Sequence, residues 1–318
     1  MLIEISHGFL SGFLKKLQCQ TGINIFSYHG IVPSQSDKRL QRNFHLVSNF
    51  QSHIRFLKYF RNLSLEELSG NMGSPWPLNQ RIGAITFDDG YANNLKAAEI
   101  LKRYHFPWTL FVSTGAVGRD KSIWTVELSL LLLQGEATHL EVLDKIWNLN
   151  MREAKEAAFQ TIRYAMKAMP DLERRQTLEI IRSQFPKGET KRLLEKSPSL
   201  QMLTWNEIRQ LANDGVEIGS HGVDHEIHHG NQPFEVRRRE LVESKKEIEK
   251  QTGKPCRFFT YPNGNFVKSS PEEVRDAGYE LAFTTEQGTV TTDLNPYLLP
   301  RLEPSDSLKK FIRNFYWK

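Results

Sequence analysis

The chain has 318 residues, of which 39% are hydrophobic and 25% charged, a balance that suits one large α/β domain or two average ones and excludes a disordered chain. A net charge of +5 is too small an excess for a nucleic-acid partner, and the run Arg237–Arg239 is followed by Glu240 and Glu243, as on a solvated helix face. Two cysteines, Cys19 and Cys256, exclude a disulfide framework.

In chain order, the opening MLIEISHGFLSGFLKKLQCQ carries Glu4 early and has no basic start before an apolar run. A cytoplasmic location is therefore expected, with Phe9–Leu17 available for peripheral contact with the inner membrane face. The longest apolar stretch, Leu128–Leu133, is far too short to span a bilayer. Five β-rich runs then end in polar clusters: Ile23–Tyr28 before His29-Gly30, Ile82–Phe87 before Asp88-Asp89-Gly90, and Thr109–Val112 before Ser113-Thr114-Gly115. Val216–Ile218 leads into Gly219-Ser220-His221, and Arg257–Tyr261 into Pro262-Asn263-Gly264. Leu281–Thr284 and Leu298–Pro300 are weaker candidates. Helical periods lie between them, at His45–Tyr59, Ala92–Tyr104, Trp205–Asn213, Pro233–Thr252 and Ser270–Ala277. Such alternation implies an α/β fold of parallel strands with helices outside, whose chemistry gathers at the carboxyl ends of the strands. From about 126 to 200 the alternation stops. This charged stretch reads as consecutive helices broken at Met169-Pro170-Asp171, hence a helical insertion within a single domain spanning 1–318.

Two adjacent carboxylates at a strand end, Asp88 and Asp89, cannot face the same way, so one can bind a metal while the other takes a proton from water. Alone, such a pair is more often a turn with one Asp capping the next helix. His221 and His225, four apart, would lie on one side of a helical turn and could share that metal. His228 and His229 follow closely, so a plain polar loop is the competing explanation. Tyr261-Pro262-Asn263-Gly264 and Tyr28-His29 each say little alone. Tyr261 and Trp124 are the aromatic residues expected to face a sugar, although buried core explains aromatic content equally well.

Taken together, TFDDG, the run LTWNEIRQLANDGVEIGSHGVDH, and FFTYPNG after the helix at Glu240–Gly253 resemble the polysaccharide deacetylases of carbohydrate esterase family four, the NodB-like deacetylases. The resemblance covers Asn24 to Arg301 apart from the insertion. It implies a distorted (β/α) barrel holding one divalent metal, usually zinc, on Asp89, His221 and His225. Asp88 would be the general base, and the backbone N–H of Asn263, where the family usually has Tyr, would help hold the oxyanion. Two departures stand out: Thr260 replaces the arginine that begins the third motif, and no histidine follows His229. Tyr28-His29 resembles the acid-bearing pair of the permuted exopolysaccharide deacetylases, which makes His29 the candidate acid, and Arg301 in LLPRLEP is the candidate replacement arginine. The implied activity is removal of N-acetyl groups from an amino-sugar polysaccharide or its precursor, in cell-surface polysaccharide biosynthesis. A barrel amidohydrolase acting on a small non-sugar amide, and a non-catalytic carbohydrate-binding relic, are the alternatives.

Overall fold

A computed structural model describes residues 22–74 and 82–316. The Phe9–Leu17 segment and Cys19 lie outside these residues. Among them, no helix is long and apolar enough to cross a membrane.

The strands are β1 (Ile23–Tyr28), β2 (Gly30–Val32), β3 (Phe44–Leu46), β4 (Arg61–Asn62), β5 (Ile82–Phe87), β6 (Thr109–Val112), β7 (His139–Val142), β8 (Lys145–Asn148), β9 (Glu217–Ser220), β10 (Phe258–Thr260), β11 (Leu281–Gln287) and β12 (Leu299–Arg301). One parallel sheet runs β1-β5-β6-β9-β10-β11-β12, with β4 also on β5. Past β12, Leu302 bridges back to Phe26, and its backbone exchanges hydrogen bonds with Ile25 and Ser27. The sheet thus curls into a nearly closed barrel ringed by helices. It is distorted where the β11–β12 register shifts between Phe283 and Gln287.

Strands buried on both faces favour apolar side chains at most positions, which is why β1 and β5 read as mainly apolar runs, interrupted only at Asn24, Ser27 and Thr86. Alternate residues go to different cores. Ile23, Ile25, Ile82, Ala84, Phe111 and Leu299 meet inside the barrel. Phe26, Tyr28, Ile85 and Phe87 pack outward against Ile54, Leu101 and Leu241 of the surrounding helices. Continuing the inward parity past the strand ends brings Asp88, His221, Thr260 and Arg301 toward the barrel axis at one rim. Gly219 occupies an inward position because a Cβ there would come within 2.5 Å of the Phe111 ring.

The stretch from 126 to 200 is not purely helical. Helices Trp124–Gln134, Arg152–Lys167, Asp171–Ser183 and Glu189–Lys196 are joined by an antiparallel hairpin of β7 and β8, with the expected break at Pro170. Leu128, Phe159, Ile162 and Ile181 form a core of its own, which also takes in Trp124 and Ile227. Ile227 lies two residues beyond His225, so the insertion packs directly against the histidine loop.

Candidate metal centre and active site

Asp88 directly follows β5, its backbone N–H donating to the Tyr28 carbonyl (2.9 Å). Asp89 and Gly90 follow in the left-handed region (φ 72° and 87°). Aspartate tolerates this conformation better than most residues, and the reversal sends the two neighbouring carboxylates to different partners.

Asp89 faces the histidines. Its Oδ1 lies 3.4 Å from Nε2 of His221 and 3.6 Å from Nε2 of His225. The three side chains are buried, and their ligand atoms all lie within 4.8 Å of one another. The pair is not on a helical turn as expected. His221 and His225 sit in a loop after β9, brought together by left-handed residues at Gly222 (φ 81°) and His225 (φ 57°). A side chain at Gly222 would meet Glu240 Oε2 at 2.6 Å, so close approach as well as φ demands glycine. The His221 Nδ1 is engaged by the Thr260 carbonyl (2.8 Å), which leaves Nε2 to the cavity. Asp89 Oδ1 is buried and finds no hydrogen-bond partner among the described residues. Burial drives the His225 ring down to about 3, a neutral imidazole suited to ligation. Two neutral-capable imidazoles and one buried carboxylate with an orphaned oxygen fit a divalent cation with coordination positions to spare.

Asp88 faces the other way, into a fork. Arg301 donates Nη1 to Oδ1 (2.8 Å) and Nη2 to Oδ2 (2.7 Å), and both residues are almost wholly buried. The same guanidinium donates to Oγ1 of Thr86 (3.1 Å), to Oγ1 of Thr260 (2.8 Å) and to the Thr284 carbonyl (3.1 Å). It lies over the Phe111 ring at 5.9 Å. Burial alone would raise the Asp88 carboxyl, but the Arg301 charge and its two hydrogen bonds hold it below the usual carboxylate range. Thr260 therefore holds His221 through its carbonyl and Arg301 through its hydroxyl.

His29 borders the same cleft as Asp88, Asp89, His221 and His225, near enough that a charge on its ring is felt by both aspartates. Asn94 Nδ2 pins its carbonyl at 2.7 Å. Asn263 lines the opening with left-handed backbone (φ 59°), and its N–H donates to no acceptor among the described residues.

The two aromatic residues expected to face a sugar are both buried. Trp124 is 5% exposed, and its indole N–H donates to the His225 carbonyl (3.3 Å) while Arg174 covers its ring. It props up the histidine loop and offers no face to a sugar. Tyr261 borders the cleft, but it is 1% exposed and its hydroxyl donates to the Tyr297 carbonyl (3.1 Å). His228 is buried against Phe259 and Tyr261, and His229 bonds the Met169 carbonyl, so neither joins the centre. Two contributors lay outside the sequence reading. Glu240 Oε2 accepts backbone N–H groups from Val223 (2.8 Å), Asp224 (3.0 Å) and Glu226 (3.3 Å), and Tyr91 borders the cleft at Asp89.

The family model for polysaccharide deacetylases matches residues 77–282, and the chain belongs to that family. Its fold is shared with the deacetylase PplD of Streptococcus pyogenes, solved with acetate, at a TM-score of 0.61 and 17% identity over 93% of this chain and 99% of PplD. It is likewise shared with IcaB of Ammonifex degensii, at a TM-score of 0.59 and 16% identity over 94% and 97% of the two chains. YxkH of Bacillus subtilis is 27% identical over 106 residues, which span 33% of this chain and 38% of YxkH.

Proposed function

We propose that the protein hydrolyses the N-acetyl amide of an amino sugar in a polysaccharide or its precursor, with a zinc ion held by Asp89, His221 and His225. The observation that carries this reading is the opposite setting of two adjacent acids, Asp88 in the Arg301 fork and Asp89 against two imidazoles. A divalent cation bound there would polarise the amide carbonyl and acidify water. Asp88, kept ionised and fixed in direction by Arg301, takes the proton from the attacking water. The unengaged Asn263 N–H is suited to stabilise the developing oxyanion. The leaving nitrogen must be protonated, since an amide anion is too basic to depart, and His29 is the cleft histidine available to deliver that proton. The fold shared with PplD adds support, because acetate is the product this reaction would release.

The test is to count acetate and free amine released by the zinc-loaded protein from N-acetylglucosamine oligomers, lipid-linked amino sugars and nucleotide sugars. Equal amounts of both products are expected, lost on chelation and restored by metal. A folded protein with one metal per chain that releases acetate from none of them would overturn the reading. Turnover of a small non-sugar amide alone would move the activity to a different amidohydrolase class.

A further inference from the structure

The mouth of the cleft carries a charge pattern that amide hydrolysis does not use. Phe159, Arg163 and Lys167 lie four residues apart on the helix Arg152–Lys167, so they form one stripe, and all three line the cleft. Arg42, from the loop before β3, joins them. Its guanidinium lies 5.3 Å from the centre of the Phe159 ring, and that of Arg163 lies 5.5 Å from the same centre. Lys167 reaches the catalytic edge, where its ammonium donates to the side-chain oxygen of Asn263.

Three cations gathered on one wall repel each other, and their compensation is thin. Arg39, also at the cleft, is matched by Asp37 through two hydrogen bonds. Arg42 donates to the Arg39 carbonyl (3.1 and 3.2 Å) and has a carboxylate, Glu156, only at 4.0 Å, while Arg163 donates to neutral Gln160. The Arg163 Nε is buried and finds no hydrogen-bond partner among the described residues. Burial, with Arg163 and Arg42 close by, pushes the Lys167 ammonium down to about 8. Such an arrangement is costly by itself and is relieved by an anion.

We propose that Arg42, Arg163 and Lys167 form an anion subsite that takes a phosphate ester carried by the amino-sugar substrate. This rests on the deacetylase reading for the identity of the sugar but not for the subsite itself. Two arginine forks and a lysine suit the several oxygens of a phosphate, and their place at the opening holds the charged group outside while the acetamide reaches the metal ligands.

The test has a kinetic arm and a binding arm, each applied to the full chain, to Arg163→Gln, to Lys167→Gln and to Arg163→Lys. In the first, kcat/KM is compared for a prenyl-phosphate-linked N-acetylamino sugar, N-acetylglucosamine 1-phosphate and neutral N-acetylglucosamine oligomers. The phosphorylated substrates are expected to be preferred, and each Gln variant to reduce that preference roughly tenfold or more, mainly through KM, as for loss of a charged hydrogen bond. Arg163→Lys should restore part of it. In the second arm, calorimetry measures binding of N-acetylglucosamine 1-phosphate without requiring turnover. Weaker binding in the Gln variants supports the subsite even if no substrate is hydrolysed, in which case the deacetylase reading alone falls. Tighter handling of the prenyl-linked form would assign the phosphate to a lipid carrier, and equal handling to a soluble sugar phosphate. Absence of any phosphate preference in the unaltered protein, or a preference and affinity untouched by both Gln variants, would overturn the proposal.

Discussion

At Asp88 two opposing effects meet. Burial favours the neutral acid, while the Arg301 charge and fork favour the carboxylate and win. Because the folded-state value lies below that of the unfolded chain, the pair contributes stability at neutral pH, lost as the pH falls through the depressed value. Replacing Arg301 by Met removes the main opposition to burial, leaving only the weaker pull of His221 and His29. The carboxyl rises, the base stays protonated to higher pH, and the acid limb of the kcat/KM profile should move upward with a stability loss of about 3–5 kcal/mol for the stranded charge. Arg301→Lys keeps the charge without the fork and should move the limb less. His29→Ala, in the same series, should cut turnover while metal content holds. A profile unmoved by Arg301→Met would detach this arginine from Asp88, and unchanged turnover in His29→Ala would remove His29 as the acid.

At the scale of elements, the histidine loop depends on groups that do not touch the ligand atoms. Glu240 gathers three of its backbone N–H groups, and Trp124 holds the His225 carbonyl. Glu240→Ala strands those donors in the interior and frees a loop that relies on left-handed residues. Zinc affinity should fall about 10–100-fold, with Glu240→Gln in between. Equilibrium zinc titration decides this, and an unchanged affinity in the Ala variant would show that the loop holds its shape without the carboxylate. This support was hidden in the sequence because Glu240 acts on backbone amides, which carry no residue-type signature. The support from Trp124 was equally hidden, because an aromatic residue near a polar motif looks the same in sequence whether it stacks on a sugar or underpins a loop. Arg301 came from the resemblance, as a replacement for the missing third-motif arginine; in the structure it is the last residue of β12 and its guanidinium meets Asp88.

For the whole molecule, the parallel strands were readable because most are short apolar runs closed by polar residues at the same rim, while their closure into a barrel came from the resemblance. The hairpin β7–β8 was not readable. Its turn places Leu143 and Asp144 in the left-handed region (φ 57° and 53°) without the Asn-Gly or Asp-Gly pair that usually announces such a turn. The insertion shares a core with Ile227 and roofs the cleft with the helix Arg152–Lys167, so barrel, loop and insertion build one site. The division of labour between its two central acids is tested most directly by measuring zinc per chain and turnover side by side for Asp88→Asn and Asp89→Asn. Asp88→Asn should keep one zinc per chain while turnover falls by roughly two to four powers of ten, and Asp89→Asn should lose both together. Loss of zinc from Asp88→Asn, or full zinc and turnover in Asp89→Asn, would contradict that assignment.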